Sequence, residues 1–156
     1  MCVGIRIEAE AITAIVYLPP DTPLQAPEGD LAERAVRQIE RYRDDPDTAF
    51  DLPMCATGTR FQRDVWRQIS AIPRGRTRTY GELARRVGGE ARAVGQACGD
   101  NPFPIVVPCH RVVAADGLGG FSHHVDGYLM DAKMWLLKHE GNLQMYETGS
   151  LWPEAT

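Results

Sequence analysis

The sequence of 156 residues contains no apolar run that approaches the roughly 18 residues of a membrane-spanning helix. Its N-terminus also lacks the basic start, apolar stretch and small-residue cleavage site of a secretory signal. We therefore expect a cytoplasmic protein with no membrane partner. With 44% apolar and 24% charged residues, the chain has the composition of an ordinary globular protein.

Cysteine is scarce and widely spaced in this chain. The four thiols, at Cys2, Cys55, Cys98 and Cys109, form no CxxC pair and no zinc-ligand spacing. This argues against the usual disulfide and metal frameworks, and we expect neither a metal nor a cofactor. Most such thiols are buried small apolar groups, so a chemical role must be indicated by the neighbouring residues.

Acidic residues exceed basic ones, with a net charge of -4, but the charge is unevenly distributed. Residues 1–59 hold 5 basic and 11 acidic side chains, residues 60–92 hold 9 and 3, and residues 93–156 hold 3 and 7. The nine basic residues of the middle block are all arginines. A local basic face is typical of a protein that touches phosphates. A solvated helical surface is the alternative, and charge alone leaves both open.

Hydrophobic periodicity predicts an α/β fold that begins with a small strand-plus-helix unit. Apolar residues at a spacing of two predict two strands within residues 3–18. Asp30 followed by Glu33 resembles a capping box, so a helix is expected to start there. A third short strand is expected over residues 52–56, and the N-terminal α/β unit is taken to span residues 1–57.

The remainder, residues 58–156, is predicted to form a mostly helical domain. Apolar residues at helical spacing over 61–69 predict one helix. Thr79 and Glu82 form a second capping-box pattern, which predicts a short helix that ends at a glycine pair. The next helix is expected over residues 90–98. Two short helices across a glycine turn are the pattern of a helix-turn-helix DNA-binding element, although many helix pairs in cores look the same.

A histidine directly follows a cysteine after the apolar residues 103–107, which are expected to be extended and buried. A free thiol is mostly protonated at neutral pH, so a nucleophilic Cys109 needs a base such as His110. Adjacent residues on an extended strand point to opposite faces. The two side chains would therefore interact only through a bend or a bridging water.

The imidazole also needs a group that orients it, and the downstream candidates are Asp116, Asp126, Asp131 and Glu140. Glu140 is unusual because it lies in the last turn of a predicted helix, where a negative charge opposes the helix dipole by about 0.3–1 kcal/mol. A partner such as His110 would offset this. Position alone favours the alternative, a tolerated surface glutamate.

Five motifs stand in a fixed order along roughly residues 59–141. They are Thr79-Tyr80-Gly81-Glu82-Leu83-Ala84, Ala91-Arg92-Ala93-Val94-Gly95, Asn101-Pro102, Pro108-Cys109-His110-Arg111-Val112 and Trp135-Leu136-Leu137-Lys138-His139-Glu140-Gly141. Together they resemble the methylated-DNA:protein-cysteine methyltransferases, which repair guanine that is alkylated on its O6 oxygen.

The resemblance implies a single displacement in which Cys109 takes the alkyl group irreversibly from O6-alkylguanine in duplex DNA. His110 would activate the thiol through a water, and Glu140 would hydrogen-bond the imidazole. Tyr80 is similar to the tyrosine that crowds the target phosphate and donates a hydrogen bond to the guanine. The implied partner is double-stranded DNA that carries alkylated guanine, and the preference relative to O4-alkylthymine is left open.

The resemblance also implies a minor-groove contact with base flipping. Arg92 is similar to the arginine that occupies the space of the extruded base, while Ala93 and Gly95 leave the helix smooth enough for a groove about 6 Å wide. Asn101 is similar to the asparagine that ties this helix to the active site. Arg111, next to the Cys-His pair, is expected to contact DNA.

The implied base pocket comprises Phe121, Ser122, Val112 and Pro108. Phe121 stands where a tyrosine is common in the family, whereas Ser122 can still donate to the alkylated oxygen. Residues 119–134, which form a pocket wall in the family, are several residues longer than expected. The range of alkyl groups is therefore left open.

Two other functions compete with a single-turnover alkyltransferase. A non-catalytic relative that binds damaged DNA would have lost the cysteine, and Cys109 is present. A cysteine hydrolase with a Cys-His-Glu set would leave Arg92, Tyr80 and the small-residue helix unexplained. We expect a monomeric alkyltransferase, cytoplasmic in a bacterium and nuclear in a eukaryote.

Overall fold

The computed structural model describes residues 1–124 and 127–142. Over these ranges the strands of a small hairpin come first and most helices follow, as the periodicity predicts for an α/β chain with a mostly helical C-terminal part. No helix within them is both long and apolar enough to cross a membrane. The elements are β1 (Cys2–Glu8), β2 (Ala11–Leu18), α1 (Asp30–Asp44), α2 (Arg60–Ser70), β3 (Arg78–Thr79), α3 (Tyr80–Val87), α4 (Ala91–Gly99), a short 3-10 helix (Cys109–Arg111), β4 (Val112–Val113) and α5 (Gly127–His139).

The N-terminal unit is an antiparallel hairpin followed by α1. β1 pairs with β2 across a turn in which Ala9 and Glu10 both have positive φ, as tight hairpin turns require. The cap of α1 is Gly29, and no side chain caps the helix. The expected capping box of Asp30 and Glu33 is therefore wrong. Both carboxylates lie in the first helical turn instead, where they favour the helix dipole.

The expected third strand over residues 52–56 is reduced to a single bridge between Met54 and Ile12. The Ile12 amide donates to the carbonyl of Pro53 at 2.8 Å, and the Cys55 amide donates to the carbonyl of Ile12 at 2.9 Å. Pro53 has no N–H, so it cannot extend this ladder.

The helix-turn-helix pair is formed by α3 and α4. The side chain of Thr79 accepts from the amide of Glu82 at 3.1 Å, and the Glu82 carboxylate accepts from the amide of Thr79 at 2.8 Å. This confirms the predicted capping box. α3 ends at Gly88, whose φ of 73° is a left-handed conformation that glycine adopts without strain. The predicted pair of helices across a glycine turn is therefore present.

Helix α2 packs against α4, the second helix of the helix-turn-helix. Thr59 and Gln62 form a further capping box at its start, and Val65 and Trp66 lie on its buried face. The Trp66 indole donates to the backbone carbonyl of Ala97 at 2.8 Å. This bond fixes α4 on α2 through a buried polar contact.

The segment that precedes the cysteine is a series of turns, so the expected extended stretch over 103–107 is wrong. The Val107 amide donates to the carbonyl of Phe103 at 2.8 Å, and Ile105 has a φ of 74°. The physical reason is local. Asn101 accepts from the amide of Phe103 at 3.0 Å and donates to the carbonyl of Val107 at 2.9 Å. The Asn101 side chain thus occupies backbone hydrogen-bonding groups that a strand would use to pair with a neighbouring strand. The flanking prolines have no N–H to donate to such a ladder.

A two-residue parallel ladder links the segment after Cys109 to the start of the helix-turn-helix. Arg78 pairs with Val112, and Thr79 pairs with Val113. Because Thr79 also caps α3, the ladder holds the start of the helix-turn-helix beside the residues that follow the cysteine.

One hydrophobic core runs through both parts of the chain. The proposed boundary between residues 57 and 58 therefore divides the sequence but not the core, and its position stays a prediction. Asp126 and residues 143–156 of the expected second domain lie outside the described residues. Core members from both sides of the boundary include Ile12, Ile15, Tyr42, Val65, Val94 and Leu136.

Candidate active site

Cys109 is a buried thiol at the first position of the 3-10 helix, with 4% of its surface exposed. The side-chain amide of Asn101 donates to its Sγ at 3.0 Å. Asn101 stands two residues after α4, and its second acceptor is the carbonyl of Val107 at 2.9 Å. This one side chain therefore joins the end of the helix-turn-helix to the thiol.

His110 and Glu140 form a buried pair, each 1% exposed. The Nε2 atom of His110 lies 2.9 Å from Oε1 of Glu140. Glu140 follows α5 directly, and its amide donates to the carbonyl of Leu136 at 3.0 Å. The sequence-based alternative of a surface glutamate is therefore wrong, and the offsetting partner expected for this carboxylate is present.

The Glu140 carboxylate accepts hydrogen bonds from two more side chains. The Tyr42 hydroxyl donates to Oε1 at 2.7 Å, and Arg111 donates to Oε1 at 2.8 Å and to Oε2 at 2.9 Å. Burial alone would raise the pKa of Glu140. The hydrogen bonds that it accepts, from His110 first and Arg111 next, outweigh burial and lower that pKa well below its ordinary value. The carboxylate is therefore ionised.

Arg111 lies inside the site, where it pairs with Glu140, and the DNA contact expected for it stays a prediction. Its side chain is 13% exposed. The guanidinium grips Glu140 with two nitrogens and donates from the third to the carbonyl of Ile72 at 2.6 Å. The planar fork of arginine suits a carboxylate in this bidentate way. Arg111 thus fixes the position and charge of the carboxylate.

The second ring nitrogen of His110, Nδ1, is buried and has no hydrogen-bond partner among the described residues. Because Nε2 faces a carboxylate, it is the nitrogen that carries the proton, and Nδ1 is the basic one. Burial lowers the pKa of His110, while the bond to Glu140 opposes that effect. The imidazole is therefore neutral near pH 7 and able to accept a proton.

The Cys109 thiol resists ionisation in its resting state. Burial raises its pKa well above the ordinary value, and the adjacent thiol of Cys98 adds to the increase. The hydrogen bond from Asn101 and the charge of Lys133 act in the opposite direction. A base is therefore needed to generate the thiolate.

All four cysteines are free, and among residues 1–124 and 127–142 Cys109 is the one that is followed directly by a histidine bonded to a carboxylate. Cys2 is buried, whereas Cys55 is exposed. Within the part of the chain that the structure describes, no group of three or more histidine, cysteine, aspartate or glutamate side chains is arranged to hold a metal ion.

A pocket of about 480 Å³ opens onto Cys109 between α4 and the residues after β4. Phe121 and Ser122 line it, as expected from the resemblance. Val112 and Pro108 are buried and do not line this pocket. The strand pairing of Val112 and the turn at Pro108 place both behind the thiol, where they support its backbone.

Tyr80 lines the same pocket from the first position of α3. Its hydroxyl donates to the carbonyl of Gly120 at 3.3 Å. Burial raises the pKa of Tyr80 well above its ordinary value, so the hydroxyl keeps its proton. Gly119 passes close behind the ring, since a Cβ at this position would lie 3.0 Å from it. Tyr80 is thus a hydrogen-bond donor at the pocket mouth.

A fully buried lysine holds the wall of the pocket in place. The Nζ atom of Lys133 donates to the carbonyls of Val112 at 2.8 Å, Leu118 at 2.7 Å and Gly120 at 2.8 Å. It also lies 5.9 Å from the centroid of the Phe121 ring. Burial lowers the pKa of Lys133 to about 8. This side chain supplies the donors that the irregular backbone of the wall requires.

His123 fastens the same wall to the end of α4. Its Nε2 atom lies 3.0 Å from Oδ1 of Asp100. The ring occupies the space above Gly99, where a Cβ would come within 2.2 Å of a ring carbon. Ser122 and His123 have positive φ values of 50° and 66°. Asp100 also accepts from Gln62 at 3.2 Å, so α2, α4 and the wall meet at one carboxylate.

The outer face of α4 is smooth and exposed. Arg92 lies exposed at its second residue, and Ala93 and Gly95 are partly exposed. A Cβ at Gly95 would have no neighbour within 4 Å. The inner face is held by the buried side chain of Val94. Helix α4 therefore has one face that packs against the protein and one exposed face that carries the long cationic side chain of Arg92.

The side chains of three arginines of the basic block have partners among the described residues, and the first of them, Arg63, donates to the carbonyl of Gly58 at 2.6 Å. Arg74 forms an ion pair with Asp47 and donates to the backbone carbonyl of Glu140 at 3.2 Å. Arg67 lies 3.0 Å from Asp64. Arg74 thus connects α5 to the N-terminal unit, and it is the clearest member of the block whose role is structural.

Sequence reasoning missed Tyr42 and Lys133 as parts of the site. Lys133 falls among the apolar positions of α5, and a lysine in such a row is a signal of a buried, fully bonded cation. Tyr42 is 98 positions from Glu140 and looked like any other residue on the apolar face of α1. Nothing local in the sequence distinguishes it.

Comparison with known proteins identifies similar chains at the level of sequence. Residues 60–142 match the family model described as "6-O-methylguanine DNA methyltransferase, DNA binding domain". The chain is 42% identical over 116 residues to a methylated-DNA--protein-cysteine methyltransferase of Methanosarcina acetivorans, which covers 72% of this chain and 71% of that protein. It is 50% identical over 95 residues to the protein of that name from Mycolicibacterium paratuberculosis, which covers 59% and 58%, respectively.

Solved structures show the same likeness in three dimensions. The O6-methylguanine methyltransferase of Mycobacterium tuberculosis superposes with a TM-score of 0.73 at 36% identity, over 88% of this chain and 85% of that one. The structure of OGT from the same organism in complex with DNA gives a TM-score of 0.71 at 34% identity, over 92% of each chain.

Proposed function

The chain belongs to the 6-O-methylguanine DNA methyltransferase family, and we propose that it repairs alkylated guanine in DNA by direct reversal. The alkyl group on guanine O6 passes to Cys109 and remains there, so each molecule acts once. The observation that carries the proposal is a buried Cys109 that lines an open pocket beside α4 and is followed directly by His110, whose imidazole lies 2.9 Å from the buried Glu140.

Activation begins with removal of the thiol proton. Nδ1 of His110 is the free basic nitrogen, and it receives the proton of Cys109 through a bridging water. The imidazole becomes a cation, and Glu140 compensates that charge at 2.9 Å. Arg111 holds the carboxylate in place throughout. The desolvated thiolate then lies in a low-dielectric site with no competing water shell, which favours attack on the alkyl carbon.

The displacement forms one bond and breaks one bond. Sγ of Cys109 bonds to the alkyl carbon, and the bond from that carbon to guanine O6 breaks. The electron pair of the broken bond leaves with the guanine, which then takes up a proton. Tyr80, whose hydroxyl keeps its proton, exchanges its bond to the Gly120 carbonyl for one to the base, and Ser122 donates to the alkylated oxygen. Donors placed where charge develops stabilise the transition state.

The DNA side of the reaction uses the open face of α4. A duplex base must leave its stack to reach a buried thiol, at a cost of a few kcal/mol. Arg92 enters the vacated space, while the small side chains of Ala93 and Gly95 let the helix approach the narrow minor groove. Asn101 then relates the position of this helix to that of Cys109 through its 3.0 Å contact.

The proposal extends to the setting of the reaction. The substrate is double-stranded DNA, so we place the protein in the cytoplasm of a bacterium or in the nucleus of a eukaryote, acting as a monomer. The chain spans 71% and 58% of the lengths of the two relatives named above. The substrate of the whole protein, including any O4-alkylthymine activity, is part of this proposal.

Cysteine variants test the proposed function directly. A duplex with a radiolabelled O6-methylguanine is incubated with the wild type, with Cys109→Ala and with Cys98→Ala, and protein-bound label is measured. Cys109→Ala abolishes transfer under the proposal. Cys98→Ala is the matched control, because it removes a thiol that lines the same pocket, and it retains transfer. Label on the Cys109→Ala protein would refute the assignment.

The competing functions are separated by the same experiment. A non-catalytic relative would bind the duplex without taking label. A cysteine hydrolase would turn over an acyl ester, and it would not retain a methyl group. The presence of a nucleophile with a buried base behind it favours transfer over binding alone.

A further inference from the structure

Tyr17 of β2 reaches the centre of the site from the N-terminal unit, although no part of the mechanism above uses it. Its side chain is 7% exposed. The centroid of its ring lies 5.5 Å from that of Phe121, at an interplanar angle of 52°, and Phe121 lines the pocket above Cys109. The Tyr17 hydroxyl is close enough to Cys109 and Glu140 for their charges to act on it.

The hydroxyl of Tyr17 is fully buried and has no hydrogen-bond partner among residues 1–124 and 127–142. Native proteins satisfy the large majority of such groups, so each exception needs an explanation. A second exception lies in the same region, namely Nδ1 of His110. Two unpartnered polar atoms of complementary type, the donor of Tyr17 and an acceptor on the residue next to Cys109, therefore call for a shared explanation.

We propose that Tyr17 is a positioning residue of the reaction centre, whose hydroxyl donates a hydrogen bond to the water that links the Cys109 thiol to Nδ1 of His110. This inference rests on the proposed function. A water in this place makes three hydrogen bonds, one to each group, which is the usual number for a buried water. Without the hydroxyl, only the thiol and the imidazole would hold it.

The proton balance leaves Tyr17 unchanged. The S–H bond of Cys109 breaks and its proton passes to the water, while the water gives a different proton to Nδ1 of His110. The O–H bond of Tyr17 stays intact, since burial first and the charges of Cys109 and Glu140 next raise the pKa of Tyr17 well above its ordinary value. The hydroxyl thus orients the relay and does not transfer a proton of its own.

Tyr17→Phe separates this role from a structural one. An orphaned hydroxyl with no function makes the folded state less stable, so its removal would leave the rate unchanged and keep or raise the melting temperature. Under the proposal, the same variant keeps its fold and melting temperature to within a few degrees but transfers methyl from an O6-methylguanine duplex at least about tenfold more slowly, in the range of general acid–base effects.

A second measurement does not depend on DNA. Iodoacetamide alkylation of Cys109 is followed across pH by peptide mass spectrometry, with the exposed Cys55 as an internal reference. The proposal predicts that Tyr17→Phe moves the Cys109 profile to higher pH and leaves the Cys55 profile unchanged. Tyr128→Phe, on the exposed side of α5, is the matched control and leaves both profiles and the transfer rate as in the wild type.

The outcomes are distinct. An unchanged transfer rate and an unchanged Cys109 profile in Tyr17→Phe overturn the positioning role. A wild type that transfers no methyl group, but in which Tyr17→Phe still shifts the Cys109 profile, overturns the proposed function and leaves the hydrogen bond to the thiol relay standing. Loss of the fold in Tyr17→Phe, seen as loss of the cooperative melting transition, also contradicts the proposal, because it assigns the hydroxyl to stability.

Discussion

At the scale of single residues, the site depends on one buried carboxylate that satisfies three neighbours. Glu140 accepts from Tyr42, His110 and Arg111, and these donors come from two distant parts of the chain, helix α1 and the 3-10 helix at Cys109. A carboxylate in the last turn of a helix is destabilised by the helix dipole. Here that cost is small compared with the stabilisation from a bidentate hydrogen bond to an arginine in a site with little solvent.

Glu140→Gln is expected to destabilise the protein by about 3 kcal/mol, because it leaves the buried guanidinium of Arg111 without its counter-charge. The helix dipole alone would favour retained or slightly higher stability on loss of this charge, and the ion pair to Arg111 reverses that sign. Methyl transfer should also slow, since the imidazolium loses its partner. Urea denaturation and a transfer assay measure the two effects. Glu8→Gln, at the exposed end of β1, serves as the control with a change below about 0.5 kcal/mol.

Stability is expected to fall as the solution is acidified below about pH 6.5. Burial lowers the pKa of His110 from its ordinary value of 6.5. The unfolded chain therefore binds this proton first, and the free energy of unfolding decreases as pH falls. The lowered pKa of Glu140, ordinarily 4.5, adds a loss of the same sign below about pH 4.5.

Denaturant titrations at about pH 7.5, 6 and 5 measure this acid dependence through the slope of unfolding free energy with pH. The exposed variant His124→Gln should retain the loss of stability. A free energy of unfolding that rose on acidification over this interval would show that His110 is charged in the folded protein.

At the scale of elements, α4 and the wall of the pocket act as one assembly. α4 carries Arg92 on its open face, and its end is tied to the thiol by Asn101 and to the wall by the bond between Asp100 and His123. A shift of the helix on DNA is therefore transmitted to both sides of the pocket through short, direct contacts.

Arg92→Ala should reduce repair of a duplex far more than repair of the free base. The Arg92 side chain contributes only when a base must leave its stack, which costs a few kcal/mol. A loss of about 100-fold in the rate on duplex corresponds to removing most of the interaction energy that offsets this cost. Rates with O6-methylguanine duplex and with free O6-methylguanine are compared. Equal losses on both substrates would show that Arg92 does not fill the vacated space.

His123→Ala should widen the pocket and favour larger alkyl groups. The ring lines the pocket and bonds to Asp100, so its removal frees the wall at that point. The ratio of benzyl to methyl transfer from the corresponding free guanines should rise several-fold. Asp116→Ala, at an exposed position after β4 that does not line the pocket, is the control. Gly99→Ala should act in the same direction, because a Cβ there displaces the His123 ring. An unchanged ratio in both variants would contradict the proposed role of His123 in limiting the size of the pocket.

Local signals predicted some of these elements and failed for others. The pair of Thr79 and Glu82 is a short-range device, so the sequence was sufficient to place the start of α3. The 3-10 helix at Cys109 could not be foreseen, because the Asn101 side chain replaces the strand pairing with its own bonds. Tyr42 escaped prediction for a related reason, since its partner lies 98 positions away and no periodicity encodes such a contact.

At the scale of the whole molecule, the N-terminal unit is a working part of the site. It shares a core with the helical part and contributes the hydroxyl of Tyr42 to Glu140. The resemblance seen in the sequence covers only residues 59–141, so it could not indicate this contribution. The acidic N-terminal unit and the arginine-rich middle block also leave the basic charge concentrated around α2 to α4, which suits a protein that must contact phosphates locally.

The central claim is that the protein is consumed by its own reaction at Cys109. A thioether has no electrophilic carbonyl for water to attack, so the product is not released. The measurement is a titration of the protein with excess O6-methylguanine duplex, followed by intact mass and peptide mapping. The account predicts one added methyl group per chain, all of it on Cys109, and an amount of repaired guanine equal to the amount of protein. Repaired guanine in several-fold excess over protein, or methyl mainly on Cys2, Cys55 or Cys98, would contradict it.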